Sequence, residues 1–367
     1  MTDKRIRHSA GLGGIRSVSS PVSVDQWESV LAADPGATAL QTPQYMAAVL
    51  RARGGRDVSR LYVLADGRRL LLPLIQQNSL PGLSVAGDYP GGYGHGSLLA
   101  TGGLRPSDVV AVVADLRGRG LSTRIGGGHH TAAQWSAGLM PGVVKLQRRV
   151  DVVDLTMGYE TYLARIVRRG ARQNVAKAAR QGVEIERDTT GRLVPVFYDL
   201  YLSWVERWIP RSGLPTALAR HTALKQEPYV KFETVAESMA DKCRVFIAWH
   251  AGRAVASCIT FVHGDHAIGW RSYSIKELAG PVGANTAAQV AGIRDAMESG
   301  CRFFDLGQSG DESRLHAYKN SLGAAPQPVV DLRIEPSVVT RARSLVERSK
   351  AGALGLLTRI GAGAADS

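Results

Sequence analysis

The run Phe304-Asp305-Leu306-Gly307-Gln308-Ser309-Gly310 sets an acid and a glycine loop at the end of a short apolar segment. Behind it come Arg314-Leu315-His316-Ala317-Tyr318-Lys319-Asn320-Ser321-Leu322-Gly323-Ala324, with one aromatic and one lysine ahead of another glycine turn. A lysine held just past a strand-end glycine loop can place its point charge on a phosphate or a developing oxyanion. Spacing alone favours a plainer account, a surface lysine after an ordinary turn. The elements that would position these residues are readable. Val290, Ile293 and Met297 mark an amphipathic helix ending at Gly300, and Phe303 to Leu306 reads as a strand.

A second group is basic. Arg165, Arg168, Arg169, Arg172, Lys177 and Arg180 fall on one half of a helix predicted over 165–180, with no acid among them. Leu163, Val167, Ala171, Val175 and Ala178 fall on the other half. Such a segment packs its apolar side and turns its basic side to water or to phosphate, and the pattern weighs the two evenly. The formal net charge of +13 favours polyanionic partners: tRNA, an anionic lipid surface or a nucleotide-linked substrate.

With 367 residues, of which 44% are hydrophobic, the chain suits two globular units with real cores. The absence of any run of about 18 uncharged apolar residues argues against a transmembrane helix. Residues 1–20 lack an apolar core and read as a flexible leader, not a signal peptide. Cys243, Cys258 and Cys301 are scattered among apolar residues, which fits buried free thiols in a reducing cytoplasm and not a metal site.

Residues 21–150 read as the first unit. Val24 to Leu31 is helical, Thr42-Pro43 opens a helix to Arg53, and Leu61–Ala65, Asp66-Gly67 and Leu70–Ile75 form a β-hairpin. The glycine-rich stretch 87–96 follows; its backbone can approach a ligand closely, and Asp88, Tyr89 and Tyr93 make it a candidate substrate wall. A helix over 106–118 and a strand over 122–125 complete the unit. Residues 151–335 form the second, with a strand from Val150, the basic helix, a helix over 193–208, a hairpin over 245–262 and a strand over 267–273. The hairpins echo one another, as two copies of one α/β module would. Residues 336–367 alternate apolar and basic positions, so this tail either docks on its own domain or lies on an anionic membrane.

Three stretches together resemble the Fem-type aminoacyltransferases of the GNAT-fold acyltransferase superfamily. The first is the run from Phe304 to Ala324, similar to the family's aromatic-Asp-Phe/Leu-Gly, spacer, aromatic-Lys and Gly-Ala turn. The second is Tyr162-Leu163 with Arg168 to Val183, similar to its basic helix. The third is Trp204-Val205-Glu206-Arg207-Trp208 with Arg211-Ser212-Gly213. The resemblance implies an α/β (α+β) fold of tandem GNAT-like domains, mixed sheets flanked by helices, in a cytoplasmic and monomeric protein. It implies an amine attacking an aminoacyl-tRNA to form an amide, the acceptor being a cell-wall precursor, nucleotide-linked, or a small secondary-metabolite amine. On that reading Lys319 sits by the reacting carbonyl or an acceptor phosphate, with Asp305 orienting it or its loop. Tyr318, where the family usually has Phe, stacks on the tRNA 3′ end. Arg165, Arg168, Arg169, Arg172 and Lys177 form the tRNA face, and no metal or cofactor beyond the aminoacyl-tRNA co-substrate is implied.

Arg207 and Arg211 are candidates for bidentate contact with an acceptor phosphate or carboxylate, or equally for helix-surface salt bridges. No G-x-S-x-G elbow is present, so direct transfer is simpler than a covalent intermediate. The general base is left among Asp88, His95 and solvent. His263-Gly264-Asp265-His266 has the composition of a metal motif but falls at a hairpin turn, which makes it surface, and His129-His130 after three glycines is ambiguous. A rival reading is an acyl-CoA-dependent N-acyltransferase acting on an envelope sugar or amine. Its phosphate loop, however, would need Arg/Gln-x-x-Gly-x-Gly/Ala at a helix start, and Gln289-Val290-Ala291-Gly292-Ile293-Arg294 breaks that pattern inside a helix. A third reading is a non-catalytic module that binds RNA or membrane through its basic faces.

Overall fold

The computed structural model describes residues 14–80, 83–87, 89, 92–118, 122–310 and 313–334. The predicted tail over 336–367, residues 1–13 of the leader predicted over 1–20 and Asp88 lie outside the described residues; the rest of that leader is ordered, with Ile15–Ser19 paired as a strand from Leu64 to Leu61. In chain order the strands are β1 Ile15–Ser19, β2 Arg56–Asp57, β3 Arg60–Leu64, β4 Arg69–Leu72, β5 Ile75–Leu80, β6 Leu83–Gly87, β7 Leu99–Ala100 and β8 Ser122–Gly126. The second half contributes β9 Val143–Asp154, β10 Glu184–Asp188, β11 Cys243–His250, β12 Arg253–His263, β13 His266–Ser274, β14 Phe303–Asp305 and β15 Ala325–Ile334. Among the described residues these make a 4-stranded sheet, β1-β3-β4-β7, and an 11-stranded one, β10-β11-β12-β13-β14-β9-β15-β8-β6-β5-β2.

One unit is used twice. β6 and β8 pair in parallel around the helix Pro106–Arg117, and β13 and β14 pair in parallel around Ala284–Glu298. β9 and β15 join the two copies, running antiparallel from Ala325 opposite Val152 to Ile334 opposite Val143. The α/β architecture expected from sequence, mixed sheets flanked by helices, is the one observed.

The apolar pattern explains how the helices seat. Along β11 and β12 alternate side chains face opposite layers, as the pleat requires. Val245, Ile247, Ile259 and Phe261 pack with Phe197 and Phe232 from the helices Val194–Trp208 and Tyr229–Met239. Phe246, Ala248, Ala256 and Cys258 pack with Ala284 and Ala288 from the opposite side. Covered on both faces, β12 has no solvent side, which is why its sequence reads as one continuous apolar run. Gly292 lets Ala284–Glu298 lie close on this sheet, because a Cβ there would stand 3.1 Å from Thr260 Oγ1. All three cysteines are buried free thiols, as expected.

The basic segment departs from the single helix predicted. Its first part is a π-type turn over Tyr162–Ile166, closed by Val167 N–H donating to the Tyr162 carbonyl, and the α-helix begins only at Arg169. Val167 and Arg168 are extended because both ends of the break are tied to the last turn of the helix Ser313–Ser321 and the residue beyond it. Arg168 N–H donates to the Ser321 carbonyl at 2.9 Å, and the Tyr162 hydroxyl to the Leu322 carbonyl at 2.9 Å.

Candidate active site

β13 and β14 run side by side only from His266–Ile268 to Phe303–Asp305. Beyond that point β13 continues to Ser274, whereas β14 ends and the chain turns away at Gly307. From there the chain leaves the side of β13, and Leu306, Gly307 and Gln308 line the space that opens. Asp151, buried on β9, organises this loop. Its backbone N–H donates to the Gly307 carbonyl and its own carbonyl accepts Leu306 N–H, at 3.1 and 2.8 Å. Its carboxylate accepts the Ser309 hydroxyl and His316 Nδ1.

Lys319 reaches the same loop from the helix Ser313–Ser321. Its Nζ donates to the Gly307 and Gln308 carbonyls at 2.8 and 2.9 Å, with Asp151 Oδ2 at 3.6 Å. Burial lowers its pKa, opposed by the Asp151 and Asp305 carboxylates. Asp305 accepts the Gly307 N–H at 2.6 Å, and burial pushes its pKa up to about 6. Lys319 and Asp305 therefore meet around one loop. Asp151 and His316 complete the cluster and escaped sequence reasoning; the only signal was a lone acid in an apolar strand.

A cavity of about 540 Å³ opens where the strands part. Lys319, Tyr318, Trp204, Arg207, Trp208 and Arg211 all line it, as do Asn285 and Gln289 from Ala284–Glu298. Trp204 and Trp208 stack with centroids 5.9 Å apart, a consequence of their four-residue spacing on one helix face. Arg207 is held by the Ser274 carbonyl and by Glu277, whereas exposed Arg211 has no hydrogen-bond or ion-pair partner among the described residues. The Tyr318 hydroxyl accepts from Asn285 Nδ2 at 3.0 Å, and its ring packs on a core cluster around Phe304. Gly283, with φ of 75°, starts the helix Ala284–Glu298 hard against the basic helix, since a Cβ would meet the Asn174 carbonyl oxygen at 2.4 Å. Gly292 lies mid-helix, away from that N-terminus, as the sequence pattern indicated.

A second cavity of about 380 Å³ shares Gly269, Trp270, Arg271 and Gln308 with the first. Arg124 and Arg148 line it, anchored on the fully buried Asp331, and Arg148 also donates to His95 Nε2. That contact makes Nε2 an acceptor and commits the neutral ring's proton to Nδ1, so His95 is poorly arranged as a base. Of the predicted wall, Tyr89 lines this cavity with its hydroxyl on the Leu40 carbonyl. Tyr93 lines neither cavity: it is fully buried, with Lys231 Nζ 4.4 Å from its ring centre. Lys231 also donates to the Gly92 carbonyl and pairs with Glu227, which in turn pairs with Arg271.

The hairpin motif is corrected in one respect. His266 is not a surface residue; it is 5% exposed and packs with His129 and His130, all three lining the second cavity.

The predicted basic face is partly assembled. Arg165, Arg168, Arg169 and Lys177 are exposed without ion-pair partners among the described residues. Arg172 folds back, donating to the Ala164 carbonyl, and Arg165 sits on the separate π turn.

Residues 165–320, which contain the cleft, match the family model described as an acetyltransferase (GNAT) domain. Over most of its length the chain is also similar to solved structures. FemX matches with a TM-score of 0.60 at 13% identity, covering 84% of this chain and 96% of that one. A conserved protein of unknown function from Bacteroides thetaiotaomicron VPI-5482 matches at 0.58 and 8% identity, covering 91% and 100%. The C-terminal domain (DUF2156) of a putative lysylphosphatidylglycerol synthetase from Agrobacterium fabrum matches at 0.51 and 15% identity, covering 88% and 94%. At these identities the likeness is one of fold. No curated protein matches the chain.

Proposed function

We propose that this chain is a Fem-like aminoacyltransferase, moving a small amino acid from aminoacyl-tRNA to the amine of an anionic acceptor. One observation carries the reading: two cavities have Gly269–Arg271 and Gln308 in common in their walls, just past the point where the β13–β14 pairing ends. A donor in one and an acceptor in the other bring their reacting atoms together at a single gap, which is what direct transfer requires. The first cavity suits the donor. Its Trp204–Trp208 stack offers a flat platform for a terminal base, and Arg211 offers phosphate a guanidinium that is unpaired among the described residues. The exposed Arg168 and Arg169 begin a helix abutting the Lys319 helix, so a polyanion could run from one to the other. The second cavity suits the acceptor, a nucleotide-linked cell-wall precursor or a smaller amine, through Arg124 and Arg148.

In the reaction the acceptor nitrogen attacks the ester carbonyl, a C–N bond forms, and the C–O bond to the tRNA ribose breaks. On this proposal Asp305, which lines the second cavity and whose pKa burial pushes up to about 6, takes the amine proton and returns it to the departing ribose oxygen. Lys319 acts as a positioning residue that fixes the loop carbonyls, with its positive charge lending field to the gap. An acyl-CoA donor is the second reading, favoured by the acetyltransferase family match over 165–320.

The test is transfer from charged tRNA in single turnover, run beside calorimetry with acetyl-CoA. Salt-sensitive preference for charged over uncharged tRNA, with amide product, supports the proposal. Micromolar acetyl-CoA binding without any tRNA preference moves the assignment to the acyl-CoA enzyme.

A further inference from the structure

His129 and His130 enter the second cavity on the turn that follows β8, and His266 enters as the first residue of β13. One ring nitrogen from each lies within 4.8 Å of the other two. The His130 and His266 rings have centroids 4.7 Å apart, and those of His129 and His130 are 5.3 Å apart. Phe303 backs the group, its ring stacked on His266 at 5.5 Å. The His130 ring rests against the Gly36 backbone beside the Asp34 carboxylate, which is itself fixed by the Gly36 and Ala100 N–H groups at 2.8 and 2.7 Å. Among the described residues, neither His129 nor His266 has a hydrogen-bond partner for its ring nitrogens.

Three imidazoles brought together from two distant parts of the chain, on an apolar backing and facing a cavity, are the donor set of a first-row transition metal. We propose that His129, His130 and His266 bind a divalent ion of the zinc class. Zn–N bonds of about 2.0–2.1 Å at tetrahedral angles put ligand nitrogens roughly 3.4 Å apart, so side-chain rotation of the three rings closes the set. The carboxylate of Asp34 beside His130 is the kind of outer partner that orients a ligating imidazole. Three protein ligands leave a fourth position, which here opens into the cavity that also holds Arg124 and Arg148. A carboxylate or phosphate oxygen drawn by those arginines would complete the coordination. The site is independent of the transferase reading and would stand if that reading fell.

Co²⁺ titration of the purified full-length chain, stripped beforehand with chelator, tests the site. Expected are one equivalent bound at micromolar affinity, visible absorption bands of tetrahedral intensity, and displacement by one equivalent of Zn²⁺. The bands should shift on adding acetate, the probe for an open position. His266→Gln and, on the more exposed turn, His129→Gln should each weaken binding at least ten-fold with unchanged circular dichroism. His263→Gln, in the same hairpin, should leave binding intact. Absence of stoichiometric binding, or binding that survives His129→Gln, overturns the site. Bands indifferent to acetate overturn the open position.

Discussion

Lys319 Nζ and Asp151 Oδ2 stand 3.6 Å apart, both nearly buried, and the chain from Gly307 to Ser309 is folded around the pair. Each group has further partners, Ser309 and His316 on Asp151 and the Gly307 and Gln308 carbonyls on Lys319, so removing one weakens the loop without stranding the other. Lys319→Met should leave two loop carbonyls short of a donor and destabilise the fold by about 1–3 kcal/mol. In single-turnover transfer it should lower the rate by about 10²-fold while changing donor affinity little, since the loop and its field act at the gap. A Lys319→Met protein with an unchanged rate would remove the loop from the reaction. Asp151→Asn, which keeps a carbonyl acceptor, should cost less on both measures.

The second cavity depends on a latch between the two halves. Glu227 accepts from Lys231 and Arg271 at 2.8 Å each, and both cations also donate to the Gly92 carbonyl. Glu227→Gln leaves the half-buried Arg271 facing a neutral side chain, while buried Lys231, its pKa already lowered to about 7, can give up its proton, so the variant should destabilise by about 1–3 kcal/mol. Urea unfolding measures it. Glu206→Gln, on an exposed pair with Arg220, should shift stability by less than about 1 kcal/mol.

How much of this was readable follows from where each signal lay. The helices at 24–33, 43–53 and 194–208 announced themselves through periodicity, the second also through Pro43 in its first turn. That Lys319 and Asp305 share one loop was legible because a family-like motif keeps them near each other in the chain. The places of Asp151, His316, Arg124 and Arg148 were not, because strand pairing sets them: β9 carries Asp151 to a loop more than 150 residues away. His266 was misjudged for the same reason. A hairpin turn is normally wet, but this one is covered by the turn after β8, which sequence separation hides. The break at Val167 and Arg168 was invisible to periodicity because the apolar positions stay in phase across it. Their partners at Ser321 and Leu322 set the break.

Asp305 makes the pH dependence specific. Its carboxyl titrates near 6 when folded and at the ordinary 3.8 when unfolded, so between these values the folded chain keeps a proton that the unfolded chain has lost. Stability therefore falls as pH rises through that window, and Asp305→Asn should flatten the slope. Activity should move in the opposite direction. If the carboxylate takes the amine proton, the transfer rate rises with pH through about 6, and the Asp305→Asn enzyme loses that limb. A wild-type profile without an inflection near 6 would assign proton removal to solvent.

The exposed cations of the basic segment bear on donor binding. Arg165, Arg168, Arg169 and Lys177 have no carboxylate within ion-pair reach among the described residues, so their charge is available to a polyanion. If these side chains contact about four phosphates, affinity for tRNA should drop on the order of 10²-fold between 50 and 200 mM salt. Replacing Arg168, Arg169 and Lys177 together by Gln should reduce the slope of log K against log salt by about one per residue. Arg172 carries a different expectation. Its guanidinium already serves the Ala164 carbonyl, so Arg172→Gln should loosen the turn ahead of the helix and leave the salt slope nearly unchanged. Filter binding over a salt series separates the two behaviours. Equal slopes for the triple variant and the wild type would mean that this face meets water and that the tRNA, if bound, lies elsewhere.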